Sequence, residues 1–199
     1  MKIDVSEESI TALPEYAGIP IAYEVSQVLT VDTDDHGGFV LSERQLETPY
    51  IKDCDALEGE GPMQWARHFD LSNWGFFMAQ VEGRRVGRAA VAFKTANLTL
   101  LEGRADLAVL WDIRVSPEAR GQGVGIALFQ AAEAWAATKG CKQLKIETQN
   151  TNVPACRFYE AQGCVIGAID RFAYPQLPNE IQVLWYKNLS PGATDPARR

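Results

Sequence analysis

The part of the sequence that most limits the fold is residues 107–139, where a strand pattern, a glycine-rich turn and a helix pattern follow one another. The strand LAVLWDIRV (107–115) alternates its side chains between two faces, with Asp112 opposite Val115. Beyond the turn, apolar residues recur at helical spacing. They are Val124, Leu128, Ala131 and Trp135. A strand that leads through a turn into a long helix is typical of α/β domains.

The turn itself, ARGQGVG (119–125), carries three glycines at every second position directly after Arg120. The first turn of a helix has unpaired N–H groups and about half a positive charge, which together attract anions. Glycines let a bulky phosphate approach the backbone, and arginine adds a permanent charge with two-point geometry. The turn predicts a phosphate or pyrophosphate cradle. The alternative is a turn that only connects the two elements.

The rest of the chain predicts one α/β domain around a mixed sheet. Alternation predicts a strand at 21–31, and two apolar runs around Glu82-Gly83-Arg84 predict a hairpin. Further strands are expected at 142–148, 164–169 and 180–189, and a helix at 150–163. We expect helical pieces within 41–69, a mobile or peripheral segment at 1–18, and a disordered tail at 190–199.

Composition argues against several classes of function. The net charge of the 199 residues is −7, so there is no basic surplus with which to bind nucleic acid. No apolar run reaches the ~20 residues of a membrane span, and the acidic N-terminus does not resemble a signal peptide. None of the four cysteines forms a C-x-x-C pair, which argues against a metal site and is typical of thiols in a cytoplasmic protein.

Acidic residues are concentrated in the N-terminal third and would suit a cationic partner, although a solvated loop is the plainer interpretation for most of them. They are Asp32, Asp34, Asp35, Asp53, Asp55, Glu58 and Glu60. Aromatic residues at strand positions are candidates for a cation–π pocket or for the core. They are Trp111, Trp185 and Tyr186.

Two motifs together resemble one known family. The pattern R-x-x-G-x-G at 120–125 and the segment NTNVPACRFYEAQGC at 150–164 resemble the acetyl-CoA loop and the following helix of the GCN5-related N-acetyltransferases, the GNAT family. The resemblance implies an α/β single-domain fold over 19–189, with a mixed, mostly antiparallel twisted sheet flanked by helices. WDIRVSPEARGQGVGIALF and VLWYKNL are similar, more narrowly, to streptothricin acetyltransferases, although Cys164 replaces their usual phenylalanine.

The family resemblance implies acetyl-CoA as co-substrate and no metal. The backbones of Ile113 and Val115 would pair with the pantetheine arm, and the Val115 N–H would stabilise the oxyanion. Asn152 would bond the pantetheine, and Arg157 would meet a CoA phosphate. The cofactor-binding residues expected are Ile113, Val115, Arg120, Gly121, Gln122, Gly123, Val124, Gly125, Asn152, Ala155, Arg157 and Phe158.

Acetyl transfer to an amine needs groups that move protons. A lysine-like amine has a pKa near ~10.4, so a carboxylate must recruit the cation and then remove a proton. Asp112 is the first candidate; alternatively it pairs with Arg114 or Arg171. Glu147 is the second candidate; alternatively it is a surface carboxylate that caps the next turn.

Tyr159 occupies the family's general-acid position, where a phenol would protonate the departing thiolate. Alternatively it is a buried aromatic residue beside Phe158. The expected activity is acetyl-CoA-dependent N-acetylation of a small cationic amine, with streptothricin favoured. A polyamine, an amino acid or a protein lysine as acceptor, or a CoA-binding sensor without turnover, are the other hypotheses, and a homodimer is left open.

Overall fold

The computed structural model describes residues 2–56 and 61–189. Its strands are β1 (Ile3–Glu8), β2 (Tyr23–Thr33), β3 (Phe39–Lys52), β4 (Gly75–Val81), β5 (Arg84–Ala92), β6 (Leu107–Val115), β7 (Gln143–Gln149), β8 (Val165–Asp170) and β9 (Gln182–Asn188). Its α-helices are α1 (Leu13–Tyr16), α2 (Pro62–His68), α3 (Val124–Thr138) and α4 (Val153–Ala161). The tail expected at 190–199 lies outside the described residues.

Seven strands hydrogen-bond in the order β1-β4-β5-β6-β7-β9-β8, and β2 and β3 form a separate two-stranded sheet. The pairs β1–β4, β4–β5, β5–β6 and β8–β9 are antiparallel. The described residues divide into two compact units. One contains residues 2–20, 61–145 and 188–189, and the other contains 21–56 and 146–187.

In the first unit, helix α3 packs on strands β4, β5 and β6. The predicted apolar stripe is confirmed at Val124, Leu128 and Trp135, which are buried. Helix and sheet approach closely at Gly87, where a Cβ atom would lie 2.8 Å from Val124 Cγ1 and 2.9 Å from Leu128 Cδ1. A side chain at this position would therefore push α3 away from β5.

An aromatic cluster forms a further core in the first unit. Trp74 stacks on Phe76 with ring centroids 6.2 Å apart, and Trp65 lies edge-on to Tyr16 at 5.3 Å. Trp111 joins this cluster through an edge-to-face contact with Trp74 at 5.5 Å. Of the two interpretations of Trp111, this packing favours a core residue over a cation–π pocket.

Strand β1 is an edge strand that the sequence does not predict. It pairs antiparallel with β4 in a register that joins Ile3 to Val81. Just beyond it, Leu13 and Tyr16 of α1 are buried. Only Ile3 and Val5 supply an apolar alternation, which is too short a pattern to separate a strand from a mobile segment.

Strand β3 corrects the expectation of helical pieces in the first half of residues 41–69. Residues 39–52 pair antiparallel with β2 across a turn closed by Asp34, whose Oδ1 accepts the N–H groups of His36 and Gly38. Most β3 side chains are exposed, so the strand has no buried face to produce alternation. Helix α2 supplies the helical part of the expected region.

The remaining elements match the sequence prediction within a few residues. The hairpin turns at Glu82 and Gly83, both of which have positive φ. In the second unit, Asn150 connects the end of β7 to strand β2 and to the residues before β9. Its backbone O accepts the Leu29 N–H and its Nδ2 donates to Leu29 O. Its Oδ1 accepts the Ile181 N–H at 2.9 Å. This junction fixes β7 beside the β2–β3 hairpin inside that unit.

Candidate active site

The glycine-rich turn lies in the first unit, at the N-terminus of the 15-residue helix α3. Gly121 and Gly123 have φ of 73° and 88°, the left-handed region that favours glycine. The first helical hydrogen bond runs from Ala127 N to Gly123 O. The N–H groups of Val124, Gly125 and Ile126 therefore have no partner within the helix and point out of its end.

Space around this turn is open. Among residues 2–56 and 61–189, a Cβ at Gly121 would meet no atom within 4 Å, and one at Gly123 would meet only Ile3 Cδ1, at 3.6 Å. Neither glycine is thus required by packing. Positive φ at two glycines and unpaired N–H groups at the start of a helix are the arrangement that anion-binding turns use.

Strand β6 carries its main-chain groups to this turn. Ser116 N donates to Val86 O on β5 at 2.8 Å, so the preceding even-numbered residues also face β5. Ile113 and Val115 consequently turn their N–H and C=O groups to the side of β6 away from β5. Arg120 Nε donates to Val115 O at 3.1 Å, and this bond ties the turn to the end of the strand.

Gln122 also acts inside the turn rather than outside it. Its side-chain amide donates to Glu118 O at 2.8 Å. The bond braces the loop between β6 and α3 and holds the two positive-φ glycines on either side of Gln122. The expected residues from Ile113 to Gly125 are therefore brought together in one unit, with Arg120 and Gln122 as its internal braces.

Asp112 lies on the opposite face of β6 and is buried. Arg114 forms two hydrogen bonds with its carboxylate, from Nε to Oδ1 at 2.9 Å and from Nη2 to Oδ2 at 2.5 Å. Tyr16 donates its hydroxyl to Asp112 Oδ1 at 2.7 Å, and Arg114 Nη1 also donates to Ile19 O. The geometry favours the second interpretation of Asp112, an ion pair with Arg114, over a carboxylate that meets an amine.

The Tyr16 hydroxyl is neutral in this arrangement. Burial, followed by the negative charge of Asp112, raises the pKa of Tyr16 well above its ordinary value. Tyr16 was not among the expected residues. No local pattern marks it, because its partner Asp112 lies 96 positions further along the chain.

The second unit contains Tyr159 on helix α4. Asn152 caps this helix by accepting the Ala155 N–H at 3.2 Å, and Pro154 lies in the first turn. Tyr159 is 5% exposed, and its ring lies edge-on to Phe158 with centroids 5.3 Å apart.

Glu147 lies on β7 in the same unit and is half-buried. Its Oε1 accepts the hydroxyl of Tyr174 at 2.5 Å, and Gln149 Nε2 donates to that same hydroxyl at 3.3 Å. Burial, followed by the charge of Glu147, raises the pKa of Tyr174 above its ordinary value, so the phenol stays a donor. Glu147 therefore has a partner in the segment between β8 and β9, and the sequence gives no signal for it.

Two further expected residues have structural partners. Arg157 is exposed but pairs with both oxygens of Glu43 on β3, at 2.7 Å from Nε to Oε1. Trp185 is buried and donates Nε1 to Thr148 Oγ1 at 2.9 Å, which is a core arrangement. Arg157 would have to leave Glu43 in order to reach a phosphate.

The cysteines and other metal-binding residue types form no additional site in the part of the chain described. The four cysteines are thiols rather than disulfides. Residues 2–56 and 61–189 contain no cluster of three or more His, Cys, Asp or Glu placed to hold a metal ion. Within the same residues no helix is long and apolar enough to span a membrane.

Residues 41–164 match the family model described as the acetyltransferase (GNAT) family. The chain belongs to the GNAT acetyltransferases. The single-domain α/β fold and the mostly antiparallel sheet flanked by helices, both expected from the sequence, are therefore confirmed. The matched span includes β6, the glycine-rich turn, α3, β7 and α4.

Among proteins similar to this GNAT enzyme is the streptothricin acetyltransferase of Escherichia coli, 33% identical over 94% of this chain and 95% of the relative. Streptothricin acetyltransferase A of Bacillus subtilis (strain 168) is 29% identical over 76% and 81% of the two chains. A solved Bacillus anthracis str. Ames structure in complex with acetyl coenzyme A has a TM-score of 0.75, 23% identity, and coverage of 94% of this chain and 100% of its own.

Proposed function

We propose that this enzyme transfers an acetyl group from acetyl-CoA to a primary amine of a small cationic acceptor of the streptothricin class. The observation that carries the proposal is the braced turn Arg120–Gly125 at the N-terminus of α3, with two left-handed glycines and open space in front of them. The choice of acceptor is supported by the two streptothricin acetyltransferases that align with most of the chain.

Acetyl-CoA, when bound, supplies an acetyl group activated as a thioester. In the proposal the N–H groups of Val124 and Gly125 and the guanidinium of Arg120 hold its diphosphate. The outward N–H and C=O groups of Ile113 and Val115 pair with the pantetheine arm as an added strand would. Asn152 uses Oδ1 as the α4 cap, so its contact with the pantetheine falls to Nδ2.

Glu147, rather than Asp112, is the carboxylate that we propose for the acceptor amine. Both oxygens of Asp112 accept hydrogen bonds, from Arg114 and Tyr16. Glu147 accepts the Tyr174 hydroxyl through Oε1, and in the proposal its Oε2 accepts the ammonium proton. A carboxylate that first attracts the cation and then accepts a proton, directly or through water, makes the amine nucleophilic.

Tyr159 is proposed to donate its phenolic proton to the departing thiolate. A phenol with a pKa near ~10 is a weaker acid than the thiol it generates, near ~8.5, so transfer has to be coupled to cleavage of the carbon–sulfur bond. General-acid catalysis contributes ~10²–10⁴-fold to rate, so Tyr159→Phe should lower kcat by at least about 100-fold and leave acetyl-CoA affinity unchanged.

Tyr23→Phe is the matched control for Tyr159→Phe, because Tyr23 lies in the same unit and its hydroxyl pairs with the neutral Thr151 hydroxyl at 3.3 Å. It should retain wild-type kcat. The comparison is made under conditions in which no pre-steady-state burst is seen, so that a slow step after chemistry does not hide the effect. If Tyr159→Phe also retained wild-type kcat there, Tyr159 would not be the general acid.

The acceptor is tested by thiol release from acetyl-CoA in the presence of streptothricin, spermidine, free lysine and a lysine-containing peptide. We expect the highest kcat/KM for streptothricin. A higher value for the peptide or for spermidine would contradict the proposed acceptor. Tight acetyl-CoA binding without turnover on any of the four amines would contradict the enzyme proposal and favour a CoA sensor.

A further inference from the structure

A cavity of about 320 Å³ lies in the second unit, near the end of the β2–β3 hairpin, and no role has been assigned to it. Its walls come from the ends of β2 and β8, the start of β3, and the two residues after β8. They are Val31, Asp32, Thr33, Phe39, Ile169, Asp170, Arg171 and Phe172. The volume is at the lower end of the ~300–1,000 Å³ typical of small-molecule sites.

The chemistry of the walls is that of a cation site. The residues that line the cavity include two phenylalanines, Phe39 and Phe172, and two aspartates, Asp32 and Asp170. Aromatic faces and carboxylates both attract ammonium groups, and the rings also contact the alkyl chain that carries them. Phe172 is 87% exposed, so burial in the fold does not explain its ring.

The cavity is held open by bonds of its own residues. Asp170 Oδ1 accepts the Phe172 N–H at 2.7 Å, which fixes the turn that projects the ring. Arg171 Nη2 donates to Val31 O at 2.7 Å and thereby ties the segment after β8 to strand β2. The single guanidinium is thus engaged in the wall, and the two carboxylates give the cavity a net negative charge.

The cavity is also close in sequence to Tyr174, the hydrogen-bond partner of the carboxylate proposed for the acceptor. Phe172 is two residues before Tyr174, whose hydroxyl binds Glu147. Two residues span at most about 7 Å of chain. From these contacts we infer that the Phe39–Phe172–Asp32 cavity binds a second ammonium group of the acceptor, so that the enzyme prefers amines with two or more cationic groups. The inference rests on the proposed function for its link to catalysis, but binding can be measured without acetyl-CoA.

The test compares pentylamine with 1,5-diaminopentane, which share a carbon chain and differ by one ammonium group, by calorimetric titration of the full chain without acetyl-CoA. We expect the diamine to bind about fivefold more tightly, because an exposed cation–π contact and an exposed carboxylate together add about 1 kcal/mol, and 1 kcal/mol is about fivefold. Phe172→Ala and Asp32→Asn should each remove most of that difference.

Asp35→Asn is the matched control, since it makes the same charge change three residues away from Asp32 and outside the cavity wall. It should keep the preference for the diamine. Equal binding of the two amines by the wild type, or a preference that survives both cavity variants, would overturn the inference while leaving acetyl transfer intact. Absence of thiol release with every amine would instead contradict the proposed function, because the titration measures binding of the amine without acetyl transfer.

Discussion

Gly123→Ala offers the sharpest separation of cofactor binding from folding, because the chain contains a matched position. Gly123 precedes α3 with φ of 88°, and Gly140 follows the same helix with φ of 80°. A Cβ would lie 3.6 Å from Ile3 Cδ1 at the first position and within 4 Å of no described atom at the second, so neither substitution clashes with the part of the chain that the structure describes. Both therefore test the same backbone strain at opposite ends of one helix.

The expected destabilisation is similar for the two variants. An alanine in the left-handed region costs ~1–2 kcal/mol, and the lower entropy of its unfolded chain offsets ~0.4–1 kcal/mol of that. A net loss of about 1 kcal/mol corresponds to a fall in Tm of ~2–4 °C for a chain of this size. Thermal unfolding followed by circular dichroism should therefore give nearly equal Tm values for Gly123→Ala and Gly140→Ala.

The affinity for acetyl-CoA should separate them. Hydrogen bonds to a charged phosphate contribute ~1.5–3 kcal/mol, so disturbing one donor at the cradle should raise Kd by at least about tenfold in Gly123→Ala. Gly140→Ala should bind acetyl-CoA as the wild type does in isothermal titration. If Gly123→Ala kept wild-type affinity, or if both variants lost affinity equally, the diphosphate would not be held at the start of α3.

Two further predictions concern buried polar groups. Tyr16→Phe removes a hydrogen bond to the charged Asp112 and should lower the free energy of unfolding by ~1.5–3 kcal/mol. Tyr23→Phe removes a bond to the neutral Thr151 and should lower it by ~0.5–1.5 kcal/mol. Equal losses for the two variants in urea titrations would contradict the ion-pair assignment of Asp112. Burial raises the pKa of Cys156 to about 11. Between about pH 9 and 11 the thiol ionises in the unfolded chain but not in the folded one, so the free energy of unfolding of the wild type should fall as the pH rises through this range. Cys156→Ala should weaken that dependence on pH, and an unchanged dependence would contradict the role given to Cys156.

The sequence predicts best the elements whose pattern is local. Strand 107–115 coincides with β6, and the helix expected from about Gly123 begins at Val124, because alternation, two glycines and an apolar stripe follow directly on one another. Strand β3 is not predicted because its side chains are largely exposed and its central residues, LSERQLE (41–47), are mostly helix formers. Pairing with β2 decides its conformation.

Of the candidate site, only the glycine-rich turn, whose expected role depends on main-chain groups, has a local signal in the sequence. Glycine spacing predicts a turn with positive φ, which Gly121 and Gly123 have, and the phosphate cradle at this turn stays a prediction. Asp112 and Glu147 were found as carboxylates on strands, but their partners Tyr16 and Tyr174 come from distant segments that carry no periodic signal. A carboxylate's role depends on those partners, so sequence alone left both roles open.

Strand β1 also has a consequence for how the chain is made. Ile3–Glu8 leave the ribosome long before β4 has been synthesised, so the sheet can gain this edge only after much of the polypeptide has emerged. Glu8 also faces the buried Arg88. A chain whose translation started after residue 8 would keep the Arg88 guanidinium buried without Glu8, its main counter-ion. The loss of that partner costs several kcal/mol of the free energy of unfolding. Such a chain would be partly unfolded for more of the time and would be degraded by quality-control proteases.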